Sequence, residues 1–230
     1  MNYIRKNKSI FKCILSFIIF FSSSYIQLLL VKILNIDLKN ITIIKSTIVN
    51  TISSFTIAVL LILLYRKELI KEFKIFKKDI SKNLDIGFKY WVIGLILMVV
   101  SNMIIIFIFE AGKANNEEAI QKMIKAVPFL VLISAGIFAP ITEEILFRKT
   151  FKDIISNKIT YIIISGLIFG YLHVASANSL QQFLYIIPYS SLGICFAISY
   201  SKTDTIFTSI SMHMLHNILL TIISIMKLFL

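Results

Sequence analysis

Seven stretches of this chain are long and apolar enough to cross a lipid bilayer, and they leave little room for any other architecture. A spanning helix needs about 20 mostly apolar residues. Such stretches lie at Ile10–Leu30, Ile48–Tyr65, Tyr90–Phe109, Ala126–Phe147, Tyr161–Val174 with its flanks, Leu180–Tyr200 and Thr205–Leu228. Inside lipid every backbone N–H and C=O must be satisfied by the segment's own hydrogen bonds, so runs of this kind become helices. The expected fold is therefore all-α, a polytopic transmembrane helical bundle of about seven spans. Composition agrees: 57% of the 230 residues are hydrophobic and only 16% are charged, against roughly 45–50% and 25% in soluble domains.

The formal net charge of +12 has its cause at the membrane, because Lys and Arg are retained on the cytoplasmic side of spans. The basic residues form no aromatic-interleaved stripe outside the apolar segments, which argues against a nucleic-acid partner. Arg5, Lys6 and Lys8 precede the first span. Arg66–Lys89 holds eight basic residues against four acids. Arg148, Lys149, Lys152 and Lys158 follow the fourth span, and Lys202 follows the sixth. Alternating spans put all four groups on one side, with the N-terminus cytoplasmic in a multi-pass protein of the cell membrane. Lys32, Lys39 and Lys45 run against this pattern. The first apolar run continues to about Leu34 without a small-residue cleavage site, so it reads as a retained span and not as a signal peptide. Within Glu68–Lys82, Leu69, Ile70, Phe73, Ile75, Phe76 and Ile80 alternate with lysines at helical spacing. That pattern suits an amphipathic helix at the cytoplasmic interface, or a solvated linker helix. Cys13 and Cys195 sit far apart in apolar segments and read as small buried hydrophobes.

Ionisable residues inside a span are costly and mark function by default. The fourth span carries Pro140-Ile141-Thr142-Glu143-Glu144-Ile145-Leu146-Phe147-Arg148. Glu144 and Arg148 are spaced i, i+4 and share a helix face, so they can pair. Glu143 points about 100° away and is free to face a cavity. The competing reading makes the glutamates a cytoplasmic helix end with Arg148 as its solvated border. Pro140 removes a hydrogen bond to the Gly136 carbonyl and is expected to kink the helix just before the pair. All three histidines, His173, His213 and His216, fall in later spans. Phe169 and His173 share a face, as do His213 and Asn217. A Glu, two His and an Asn can hydrolyse a peptide: the carboxylate takes a proton from water, a histidine orients the water, and a His/Asn pair donates to the oxyanion. Glu143, His173 and His213 could instead hold a zinc ion with an open fourth position.

The order E-E-x-x-x-R, F-x-x-x-H, H-x-x-x-N resembles the CAAX amino-terminal protease family, also called the CPBP or Abi family. It is matched here by Glu143-Glu144…Arg148, Phe169…His173 and His213…Asn217, over roughly Val127–Asn217. The resemblance implies an intramembrane endopeptidase. In it Glu143 activates water together with His173, His213 and Asn217 stabilise the oxyanion, and Glu144, Arg148 and Phe169 occupy supporting positions. His216 matches no motif position. Residues 1–110 are then N-terminal transmembrane helices with a cytoplasmic amphipathic segment, and residues 111–230 a CPBP-like catalytic core, within one membrane domain overall.

The family has been described both as metalloproteases and as metal-free glutamate proteases; no cofactor is favoured here, with zinc as the alternative. Expected partners are membrane lipid and a peptide or membrane-protein substrate, with a role in bacteriocin or peptide processing or in self-immunity. Two rivals remain at this point, a non-enzymatic membrane immunity or scaffold protein and a small proton-coupled transporter. Glu143, His173 and His213 are expected to meet within about 3–6 Å, in a cavity open toward the cytoplasmic side.

Overall fold

The computed structural model describes residues 3–229, with side chains from Lys6 onward; the Arg5 side chain of the first basic flank lies outside the described residues. The chain forms α1 (Tyr3–Phe21), α2 (Ser23–Ile33), α3 (Ile43–Leu64), α4 (Arg66–Lys78), α5 (Ile80–Phe109), α6 (Asn115–Ala126), α7 (Pro128–Ile154), α8 (Lys158–His173), α9 (Leu180–Leu184), α10 (Ile186–Thr203) and α11 (Ile206–Met226). Among the described residues there is no strand.

All seven predicted apolar stretches are helical, but they differ in reach. Five are long and apolar enough to cross a membrane: α3, α5, α7, α9 with α10, and α11. The first stretch bends by 41° between α1 and α2 and makes a sixth if it crosses as one span. The bend falls at Ser22-Ser23-Ser24, where the Ser22 hydroxyl donates to the Ile19 carbonyl at 2.7 Å, a local bond that competes with the helical ladder. The predicted fifth span is the short one. Helix α8 has 16 residues and stops at His173, which leaves the histidine at a helix end within the bundle.

Capping explains where the helices begin. Thr42, Asp79, Asn157 and Ser179 each accept a backbone N–H of the first turn that follows, satisfying donors that no helix can pair internally. Asp79 also divides the predicted amphipathic stretch, which is helical over α4 and then restarts as the long span α5.

One end of the bundle gathers α4, the C-terminus of α7, the start of α8 and the α10–α11 turn. The basic groups read from the sequence meet here. Lys12 pairs with Glu68 at 2.8 Å and Lys152 with Asp204 at 2.9 Å. Glu72 is buried; it accepts from the Tyr200 hydroxyl, the Ile206 backbone N–H and Lys149. The opposite end is tied by Gln182, which bonds the Asn115 N–H and the Lys113 carbonyl.

The densest helix contact joins α8 to α10. Gly166 and Gly170, four residues apart, let the two backbones approach, the small-residue device common in membranes. A Cβ on Gly170 would stand 2.8 Å from the Ser190 nitrogen and 2.9 Å from the Ile186 carbonyl oxygen. Gly170→Ala is therefore expected to push α8 from α10 and cost about 1–3 kcal/mol, as overpacking does, with a thermal midpoint several degrees lower. An unchanged midpoint in detergent would contradict this packing account.

Candidate active site

Helix α7 widens twice, at Ser134–Phe138 and at Glu144–Lys149, where its turns are π-helical. The first widening ends just before Pro140, where the sequence called for a kink. Proline has no N–H to offer the Gly136 carbonyl, and the helix accommodates the loss by opening a turn. The freed Ala135 carbonyl accepts from the Asn217 side-chain amide at 2.8 Å. Glu143 thus lies between the two wide turns, and Glu144 opens the second.

Glu144 and Arg148 are fully buried and pair at 3.3 Å, which excludes the reading of this segment as a solvated helix border. The guanidinium also lies over the Phe169 ring at 4.5 Å and the Phe196 ring at 6.0 Å, a cation–π seat. Glu144 has a second partner that the sequence did not reveal. Its other oxygen stands 3.0 Å from His213 Nδ1. A carboxylate only accepts, so Nδ1 carries a proton and Nε2 turns to Glu143, 3.7 Å away.

His173 is fixed in the same manner. Its Nδ1–H donates to the Phe169 carbonyl at 2.8 Å, so Nε2 presents a lone pair to the Glu143 carboxylate at 4.0 Å. The imidazole is held between the Phe169 ring at 4.3 Å and the Tyr189 ring at 4.6 Å. Phe169 thereby serves in three ways, as carbonyl acceptor and ring wall for His173 and as cation seat for Arg148, which gives the F-x-x-x-H spacing its physical content. Tyr189 was invisible in the sequence because nothing local connects it to His173; the α8–α10 approach does.

Glu143, His173 and His213 are therefore brought together within the expected range. The buried Glu143 Oε2 has no hydrogen-bond donor among the described residues. His173 Nε2 beside it is also an acceptor. Two acceptors facing one another across about 4 Å call for a donor between them. A single water could lie about 2.8 Å from each.

Asn217 shares the His213 face of α11 and commits one amide N–H to Ala135. His216 does not join the group: its Nδ1 accepts from Trp91 Nε1 at 3.3 Å, so it is a buried bond between α5 and α11. As a zinc set, Glu143, His173 and His213 meet an obstacle. Among the described residues no three His, Cys, Asp or Glu side chains form a metal-holding group. Tetrahedral ligands at about 2.0–2.1 Å would stand nearer 3.3 Å apart. Here Glu143 Oε2 stands 4.0 Å from His173 Nε2 and 3.7 Å from His213 Nε2.

The cleft that reaches His173 is lined by Ala114, Asn115, Val174, Ser176, Ala177 and Gln182. These belong to the end of the bundle opposite α4. The short helix α8 carries His173 away from the basic end before the chain turns. A second, open apolar groove of about 640 Å³ lies where α1 meets α2, lined by Phe17, Phe21 and Tyr25 among others. None of the motif residues lines it.

Residues 125–219 match the family model described as Type II CAAX prenyl endopeptidase Rce1-like. Every motif residue lies in that segment. This segment of the chain is similar to the CAAX endopeptidases. Similar proteins include "Putative membrane peptidase YdiL" of Bacillus subtilis, 32% identical over 126 residues, which cover 53% of this chain and 47% of that protein. An uncharacterized protein of Mycoplasma capricolum is 30% identical over 121 residues, 50% of this chain and 36% of the relative. UPF0177 protein YxdF of Lactococcus lactis is 22% identical over 142 residues, 59% of this chain and 77% of the relative. The chain thus spans less than half the length of the first two relatives. No solved structure matches it.

Proposed function

We propose that this protein is an intramembrane endopeptidase that hydrolyses peptide bonds of a membrane-associated peptide or protein by a glutamate-activated water. One observation carries the reading: a buried carboxylate oxygen of Glu143 without a donor, facing the free Nε2 of His173. Water placed between them gives a proton to Glu143 as its oxygen attacks the scissile carbonyl carbon. The C–O bond forms, the carbonyl π bond opens, and negative charge develops on the carbonyl oxygen. His213 faces the same place with Nε2, and a proton held there is balanced by the Glu144 carboxylate behind the ring. Asn217, one turn along, is the second oxyanion donor if its remaining N–H turns to the site. The proton on Glu143 then passes to the departing amine as the C–N bond breaks.

The basic end of the bundle is assigned to the cytoplasm, so the cleft at His173 faces away from it. In the cell this activity fits the processing of secreted peptides or bacteriocins, or self-immunity. Comparative peptidomics of cells carrying wild-type and Glu143→Gln protein tests the proposal. Peptide termini that appear only with the wild type are expected; identical peptidomes, or a proton-coupled flux in place of cleavage, would sink it.

The mechanism is assigned without a metal. Purified protein, treated exhaustively with a membrane-compatible chelator and checked by elemental analysis, is expected to retain its activity. Activity lost with the metal and restored by stoichiometric zinc would reassign Glu143, His173 and His213 as ligands.

A further inference from the structure

Helix α4 carries six basic residues, Arg66, Lys67, Lys71, Lys74, Lys77 and Lys78, and all are exposed. Its two acids are turned the other way and already engaged. Glu68 pairs with Lys12, and Glu72 is buried against Lys149, Tyr200 and the first N–H of α11. The outward face is thus positive without internal compensation. Ile70, Phe73 and Ile75 stand exposed among the lysines at 48%, 45% and 39%, and Lys77 lies over the Phe73 ring. Basic and apolar side chains mixed on one exposed helix match the boundary of a bilayer, where headgroup charge and acyl chain are both within reach. A nucleic acid would satisfy the charge and leave the isoleucines and Phe73 unburied.

We propose that α4 is a binding site for anionic lipid headgroups, and that Glu72 makes the bound lipid a ligand of the helices that carry the active site. The Glu72 carboxylate takes the Ile206 N–H at 2.8 Å and Lys149 Nζ at 3.2 Å, while the Thr205 hydroxyl donates to the Glu72 backbone carbonyl at 2.9 Å. Lys149 lies on α7, five residues beyond Glu144; Ile206 opens α11, seven residues before His213. One side chain of α4 therefore holds the ends of both site helices. Lipid that fixes α4 stabilises those ends through it. Each basic side chain near an anionic surface strengthens association about fivefold, so several acting together give a selective site.

The test uses the full chain in nanodiscs of phosphatidylcholine with increasing phosphatidylglycerol. Lipid retention is read by native mass spectrometry and stability by thermal midpoint. Neither reads turnover, so the outcome stands apart from the peptidase assignment. Wild type should retain phosphatidylglycerol at least about tenfold over phosphatidylcholine and show a midpoint that rises with it. Both effects should shrink in 1 M salt. The K71Q/K74Q/K77Q/K78Q variant should lose the preference and keep its midpoint in pure phosphatidylcholine. Glu72→Gln should keep the lipid preference but lose the rise in midpoint. Equal retention of both lipids by wild type, an unchanged preference in the quadruple variant, or preferential binding of a nucleic-acid oligomer overturns the lipid site. An undiminished midpoint rise in Glu72→Gln overturns the coupling.

Discussion

Glu143→Gln should reduce turnover by about 10²–10⁴-fold, the range that a lost general base removes, while the protein reaches the membrane at nearly normal abundance. The asymmetry follows from the geometry. Glu143 Oε2 makes no hydrogen bond among the described residues, and the two histidine Nε2 atoms that face it stand at 3.7 and 4.0 Å. The folded state draws little stability from this carboxylate. Glutamine keeps the shape, removes the negative charge and offers an amide where a base is needed. Single-turnover cleavage of a reporter peptide, with abundance read by immunoblot, is the direct measurement. A variant cutting within tenfold of wild type would show that the base is elsewhere.

Glu144→Gln should behave in the opposite way, losing abundance as well as activity. Glu144 and Arg148 are fully buried, and neither terminal guanidinium nitrogen of Arg148 has a hydrogen-bond partner among the described residues. With Glu144 neutral, the cation keeps only the faces of Phe169 and Phe196. Breaking a buried pair from one side costs about 3–5 kcal/mol, whereas removing both charges together is often nearly neutral. The double variant Glu144→Gln/Arg148→Met should therefore recover most of the abundance. Its turnover should stay about 10²-fold or more below wild type, because His213 has lost the counter-charge behind its proton. Abundance and turnover that recover together would reduce Glu144 to a structural residue. Equal loss of abundance in Glu143→Gln and Glu144→Gln would erase the division of labour between the two glutamates.

The sequence by itself determined what depends on solvent preference and on neighbours along one helix. Apolar runs partition into lipid and must close their own hydrogen bonds, so the helical membrane architecture was legible, as was the gathering of basic residues at one end. The pairing of Glu144 with Arg148 and the bond of His173 to Phe169 are both i, i+4 relations, settled within one helical turn. The convergence of Glu143, His173 and His213 was inferred from motif order, and it is borne by α7, α8 and α11. Tertiary structure alone decided the rest. Glu144 reaches His213 across 69 residues of sequence, and Trp91 reaches His216 across 125. Asn217 meets a carbonyl that exists as a free acceptor only because α7 widens before Pro140. His173 stands away from the basic end because α8 stops there, where hydropathy read part of a full span. Hydropathy and periodicity fix a helix and its apolar face, but not its rotation or its depth against a neighbour. Those were set by how closely backbones approach at Gly166 and Gly170 and by which buried polar group each helix end must satisfy.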